Sequence, residues 1–179
     1  MNSISHNVNN AISKLFQEDI YLLVNDLNER TIAHKLATYL QEEFPYLNVD
    51  CEYNKNIDEE KSSKNIYQVK AEAEKLGKTV KKEILINDIE YAKFSIYPDI
   101  VVHRRGGSES NFLIIEIKKS TNPTDRVFDY TKLECYTDKS DHNKLHYTFG
   151  LFIEFETGVL LPEKHELIWF KEGKQLKDF

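Results

Sequence analysis

Three charged residues stand in or beside apolar runs of this chain. Asp99 follows Pro98 at the head of "DIVVH", and Glu116 and Lys118 lie within "FLIIEIKK". Short apolar runs of this kind read as strands, and a buried strand carries charge only where the charge has a partner. Gly106, Gly107 and Ser108 mark a turn between the two runs. A hairpin centred between Gly107 and Ser108 sets Asp99 opposite Glu116, with Cβ atoms about 4.5–5.5 Å apart. Alternation puts Lys118 on the face of Glu116. Two carboxylates so placed repel unless something positive lies between them. They suit a hard divalent cation such as Mg²⁺, which takes one or two carboxylates together with water and substrate phosphate. An ammonium beside them can position the attacking water or stabilise charge on a phosphate, and these are the parts of metal-assisted phosphodiester hydrolysis.

A further carboxylate comes from a helix. Glu29 precedes Ile32, Ala33 and Leu36 by three, four and seven residues, so it shares their apolar face and is expected to point toward the sheet. The competing reading is an acid in a helix first turn, favoured by the dipole. Arg104 and Arg105 fall at the turn, at the other end of the hairpin from Asp99. Their forks match phosphate oxygens, and pairing with Asp50 or Glu52 is the alternative. Lys119 alternates away from Lys118 and is read as structural or solvated.

Pro98-Asp99 followed by Glu116-Ile117-Lys118 resembles the motif of the PD-(D/E)XK nuclease superfamily, the restriction-endonuclease-like fold. The resemblance implies an α-β-β-β-α-β core with the Asp on one strand and the Glu-X-Lys on the next. A glutamate on the preceding helix completes the metal site in many members, and Glu29 matches it. The match covers about residues 29–155 and places 54–96 where the family tolerates insertions. It implies a Mg²⁺- or Mn²⁺-dependent endonuclease acting on nucleic acid, DNA before RNA. Asp99, Glu116 and Glu29 would be metal ligands and Lys118 would serve the chemistry. The helix after the motif, with Arg126, Lys132, Lys139, Tyr130 and Tyr136, would lie beside the site, and Lys132 would contact the substrate backbone. A homodimer is expected where both strands of a duplex are cut, since one small site cuts one strand.

The elements that must position these residues can be read from periodicity. Residues 11–27 read as a helix, and 29–44 as a second helix that starts after Asn28, a good N-cap, and ends at Pro45. "LNVDCEY" alternates like a strand. Residues 54–65 read as a charged loop, "IYQVKAEAEKLG" as a short helix stopping at Gly77, and 78–96 as ambiguous with β character in "KEILI". Strands follow at about 97–104 and 111–118. A helix from about 125 to 139 is expected after Thr124, then a central strand at 147–155 and a last one at 165–170. The order predicts an α/β protein with a mixed central sheet flanked by helices, in a single domain over 1–179 with a charged insertion at about 54–96.

Composition narrows the function classes. Apolar and charged fractions of 40% and 30% are those of an ordinary globular protein. No run approaches the ~18 apolar residues of a membrane span, and "MNSISHNVNN" carries no signal-peptide pattern. A cytoplasmic protein with no membrane partner is expected, with Cys51 and Cys135 as reduced thiols. His103, His142, His146 and His165 form no metal-ligand spacing. The net charge of −6 gives no support to nucleic-acid binding over the whole surface, so that role must rest on a local site. Two rivals stand beside a nuclease: a non-catalytic nucleic-acid- or protein-binding module that keeps the fold, and a protein-interaction domain using the charged 54–96 segment.

Overall fold

The computed structural model describes residues 3–56, 62–75, 77, 82–106, 110–140 and 142–177. The chain opens with three helices, α1 (Ser3–Glu18), α2 (Ile20–Val24) and α3 (Glu29–Glu43), followed by strand β1 (Asn48–Cys51). The next segment holds β2 (Lys55–Asn56), β3 (Ser62–Ser63), β4 (Asn65–Val69), α4 (Lys70–Lys75), β5 (Lys82–Ile86) and β6 (Ile89–Ser95). Then come β7 (Ile100–His103), β8 (Leu113–Lys119), α5 (Val127–Thr137), β9 (Phe149–Phe155), β10 (His165–Lys171) and β11 (Lys174–Gln175).

Six strands form a mixed sheet in the order β1-β7-β8-β9-β10-β11. Only β8 and β9 run parallel. Parallel neighbours need a crossover connection, and α5 supplies it. Alternation along β8 divides its side chains between two cores. Leu113, Ile115 and Ile117 pack with Ile12, Leu15, Ile32 and Leu36 of α1 and α3. Ile114 packs on the other face with Leu133 and Tyr136 of α5 and with Phe152. Burying each such aliphatic side chain contributes about 1.5–3 kcal/mol, so a one-residue slip of β8 would lose both cores at once. Glu116 and Lys118 share the face of Ile114 and look at α5.

Two local devices fix the helices around β8. Asn28 caps α3, its Oδ1 accepting the N–H of Thr31 at 2.8 Å. Gly150 of β9 lies directly beneath α5. A Cβ there would meet Leu133 Cδ2, Thr137 Cγ2 and Phe170 Cβ, each at 3.2 Å. Its absence lets the helix sit close on the sheet.

Several elements differ from the sequence reading. The polar N-terminus is helical from Ser3, because Ile4, Val8 and Ala11 extend the stripe of Ile12 and Leu15 into the core. The expected single helix over 11–27 is broken at Asp19, where the backbone leaves helical geometry (φ −129°) and the side chain accepts the Tyr39 hydroxyl. The expected helix at 66–77 begins as strand β4, since Ile66, Tyr67 and Val69 suit a pleated surface and pair with β6; only Lys70–Lys75 is helical. With β5, these strands form a separate three-stranded sheet, β4-β6-β5. The expected charged loop over 54–65 instead pairs Lys55–Asn56 with Ser62–Ser63 as β2 and β3 and enters β4 at Asn65, while residues 57–61 lie outside the described residues. Helix α5 starts at Val127, whose N–H goes to Asp125 Oδ1 at 2.6 Å, and Thr124 is not its cap. Among the described residues no helix is long and apolar enough to cross a membrane.

Candidate functional site

The hairpin register is the one a symmetric turn predicts. Ile100 pairs with Ile115, Val101 with Ile114 and Val102 with Leu113. Continued by one residue, this register brings Asp99 across from Glu116. The centre of the turn, residues 107–109, lies outside the described residues. Asp99 precedes the first residue of β7, and its Oδ2 accepts the N–H of Ile117 at 2.7 Å. The carboxyl is thus seated on β8 beside Glu116. Burial pushes it up to about 6, against the pull of the Ile117 N–H and of the Lys132 and Lys118 ammonium groups.

Glu116 is 3% exposed. Its Oε1 accepts the Tyr136 hydroxyl at 2.9 Å, and its Oε2 accepts Lys132 Nζ at 2.6 Å. Burial pushes its carboxyl up to about 7, opposed by Lys132 and reinforced by the neighbouring Asp99 and Asp129 carboxylates. Burial would lower Lys132, but Glu116 and Asp129 outweigh it and hold the ammonium above its ordinary value. Burial and the Glu116 carboxylate raise the Tyr136 hydroxyl far above the usual phenol range. It therefore stays protonated and serves as a donor.

Asp129 joins the two lysines. Its Oδ1 lies 2.7 Å from Lys132 Nζ, and its Oδ2 lies 3.1 Å from Lys118 Nζ. Asp129, Lys132 and Tyr136 are spaced by three and four residues, which puts them on one face of α5. A continuous polar chain therefore runs Tyr136–Glu116–Lys132–Asp129–Lys118 between β8 and α5. Every buried side-chain nitrogen or oxygen among the described residues has a hydrogen-bond partner. Sequence reasoning missed Asp129 and gave Tyr136 no role. The signal was present in their spacing with Lys132 on the helix that covers Glu116.

Glu29 approaches from the opposite face of the sheet, because α3 packs against the side of β8 that carries Ile115 and Ile117. Its Oε1 accepts the Lys119 N–H at 3.1 Å and Asn122 Nδ2 at 2.8 Å. It secures the end of β8 and lies close enough to raise the Asp99 carboxyl. Lys119 does alternate away from Lys118, and its Nζ sits 3.1 Å from Asp26 O and 3.0 Å from Asp26 Oδ1. The Thr121 and Thr157 hydroxyls, with Lys119, lower Asp26 to about 2. Arg126 ties this turn to β9 through Glu154, at 2.7 Å.

Two expected substrate contacts are otherwise engaged. The resemblance sets Lys132 against the substrate backbone, but its ammonium is turned inward to Glu116 and Asp129. Arg105 forks onto Asp50, with Nε 2.9 Å from Oδ2 and Nη2 on Oδ1, so its planar donors are already matched by a carboxylate. Asp50 Oδ2 also bonds His103 Nε2 at 2.9 Å. Arg104 is exposed beside it, at the end of β7 away from Asp99.

Among the described residues, no group of three or more His, Cys, Asp or Glu side chains is arranged to hold a metal ion. Comparison with protein-family models, with curated proteins and with solved structures finds no match.

Proposed function

We propose that this chain is a metal-dependent nuclease built on a restriction-endonuclease-like core, hydrolysing phosphodiester bonds of nucleic acid, DNA before RNA. One observation carries the reading: Asp99, just ahead of β7, is seated on β8 by the Ile117 N–H next to the buried Glu116, with Lys118 on the same face of β8 as Glu116. The element order supports it. With the 54–96 segment set aside, the chain runs α3, β1, β7, β8, α5, β9, which is α-β-β-β-α-β.

The donor set fits a hard divalent cation, Mg²⁺ or Mn²⁺. Two neighbouring carboxylates are what such a cation uses, and water and substrate phosphate complete its shell. Asp99 and Glu116 would hold it, while Glu29, on the opposite face and bonded to the Lys119 N–H and Asn122, would act on Asp99 only through its charge. When bound, the cation supplies Lewis-acid stabilisation of the phosphoryl oxygens and a more acidic water. Lys118 has no lone pair while protonated, so it acts as donor to the attacking water or to a phosphate oxygen. Asp129 Oδ2 holds the Lys118 ammonium on the Glu116 side of the sheet. α5 and the apolar residues around Glu116 keep bulk water out, which strengthens each charge interaction inside.

A second reading has its own observation. Both Glu116 oxygens are taken by α5 side chains, as they would be in a module that keeps the fold and binds without cutting. Labelled single- and double-stranded DNA and RNA, incubated with Mg²⁺ and with Mn²⁺, separate the two. Cleavage by the wild type that is lost in Glu116→Gln supports the nuclease. Retention of substrate without cleavage under either ion supports the binding module.

A further inference from the structure

Lys132 occupies the place in the site where positive charge is needed. Its Nζ lies 2.6 Å from Glu116 Oε2 and 2.7 Å from Asp129 Oδ1, and 13% of the side chain is exposed. The other Glu116 oxygen takes the Tyr136 hydroxyl, and Asp99 already gives one oxygen to the Ile117 N–H. A cation entering between Asp99 and Glu116 therefore meets a carboxylate whose two oxygens are both engaged, one of them by another cation.

The two engaged groups are not equally able to leave. The Tyr136 ring is fully buried against Leu133 and Phe152, and moving it would open the core beneath α5. Lys132 has a flexible four-carbon stem. It also has a second carboxylate, Asp129, to keep when it gives up Glu116. We propose that Lys132 is a tethered counter-ion: its ammonium fills the site in the cation-free protein and withdraws onto Asp129 when a divalent cation takes Glu116. This rests on the nuclease reading and concerns how that site is filled.

The arrangement has two consequences. Removing one member of a buried ion pair leaves the other charge uncompensated. Without Lys132, the cluster of Asp99, Glu116 and Asp129 would be left facing Lys118 alone, so the lysine should stabilise the cation-free fold. A cation must also compete with an ammonium that cannot diffuse away, so part of its affinity is lost to displacing it.

The test uses Mn²⁺ alone, titrated by calorimetry into the full chain, with thermal melting in parallel. The proteins are the wild type, Lys132→Met, Lys132→Gln and Glu116→Gln. Lys132→Met should bind Mn²⁺ at least tenfold more tightly than the wild type. It should melt lower without metal, and the gap should close at saturating Mn²⁺. If the Met variant does not fold without metal, Lys132→Gln, which keeps a neutral donor for Glu116, takes its place in the same comparison. Equal or weaker Mn²⁺ binding in the Lys132 variants, with binding in the wild type that is lost in Glu116→Gln, would overturn the counter-ion while leaving the metal site standing. Absence of Mn²⁺ binding in all four would overturn both.

Discussion

Lys118 of β8 and Asp129 of α5 face one another across the gap between sheet and helix, Nζ to Oδ2 at 3.1 Å, with side-chain exposures of 16% and 8%. A lysine with a free ammonium could sample many positions. This one is fixed by a carboxylate on the element that also covers Glu116. In the proposed nuclease, Asp129 would position Lys118. Lys118→Met should lower single-turnover cleavage by about 10²–10⁴-fold, the range for a positioned proton-transfer or electrostatic group. At saturating Mn²⁺, where the Lys132 contact of Asp129 no longer limits metal entry, Asp129→Asn should have a smaller effect of the same kind, and the double variant should be no worse than Lys118→Met alone. Independent, additive losses in that cycle would show that Asp129 does not act through Lys118.

The metal-free protein should lose stability as pH rises. The Asp99 carboxyl, at about 6 when folded, lies above the ~3.9 of an unfolded chain. Between those values the folded state holds the proton more tightly, so stability falls as pH rises through the window and the loss is complete above the folded value. Glu116, raised to about 7, acts in the same direction and extends the window upward. Asn at position 99 still accepts the Ile117 N–H through its amide oxygen but has no charge to bury. Asp99→Asn should flatten the slope and melt above the wild type near pH 8, read by thermal melts in chelator across that range. A variant that melts lower there would contradict the burial account of Asp99.

Tyr136→Phe keeps the ring in the core and removes a single donor from a buried carboxylate. Hydrogen bonds to charged groups contribute about 1.5–3 kcal/mol, and the loss should appear in denaturant unfolding at neutral pH. Unchanged stability would mean that another donor serves Glu116 Oε1.

Gly150→Ala tests the seating of α5. A Cβ at 3.2 Å from three neighbours forces Leu133 and Thr137 of α5 and Phe170 of β10 to give by a few tenths of an ångström, and overpacking of this kind destabilises by about 1–3 kcal/mol. Because Asp129, Lys132 and Tyr136 ride on the displaced helix, cleavage should fall further than the stability loss alone explains. Full activity at a temperature where the variant is folded would separate the helix position from the site.

The strand pair is legible in the sequence because two short apolar runs flank Gly106-Gly107-Ser108, but both runs are apolar on both faces, so their register follows only from assuming a turn centred between Gly107 and Ser108. Asn28 and Pro45 bracket α3 by their own chemistry. The start of α1 is legible only when the stripe is followed upstream: Ile4, Val8, Ala11, Ile12 and Leu15 fall at helical spacing, but the polar majority of the first ten residues masks it. β4 is hidden because Ile66-Tyr67-Gln68-Val69 runs straight into a helix-forming stretch, and its strand partner β6 lies more than twenty residues away. Asp129 escapes notice for a related reason. α5 is covered on several sides by β8, β9, β10 and β4, so it has no clean polar face against which an inward acid would stand out. Arg105 shows the reverse case: its type suits phosphate, and only the fold reveals that Asp50 already holds it.

The central claim is that Asp99, Glu116 and Lys118 serve chemistry and not folding. Its most direct test is single-turnover cleavage of labelled DNA in Mn²⁺ by the wild type, Asp99→Asn, Glu116→Gln and Lys118→Met, with thermal melts on the same preparations. Metal-dependent cleavage by the wild type is expected, with loss of it in all three variants and cooperative melting in every one. Cleavage that persists at the wild-type rate in a folded Asp99 or Glu116 variant, or none by the wild type on any nucleic acid, would contradict it.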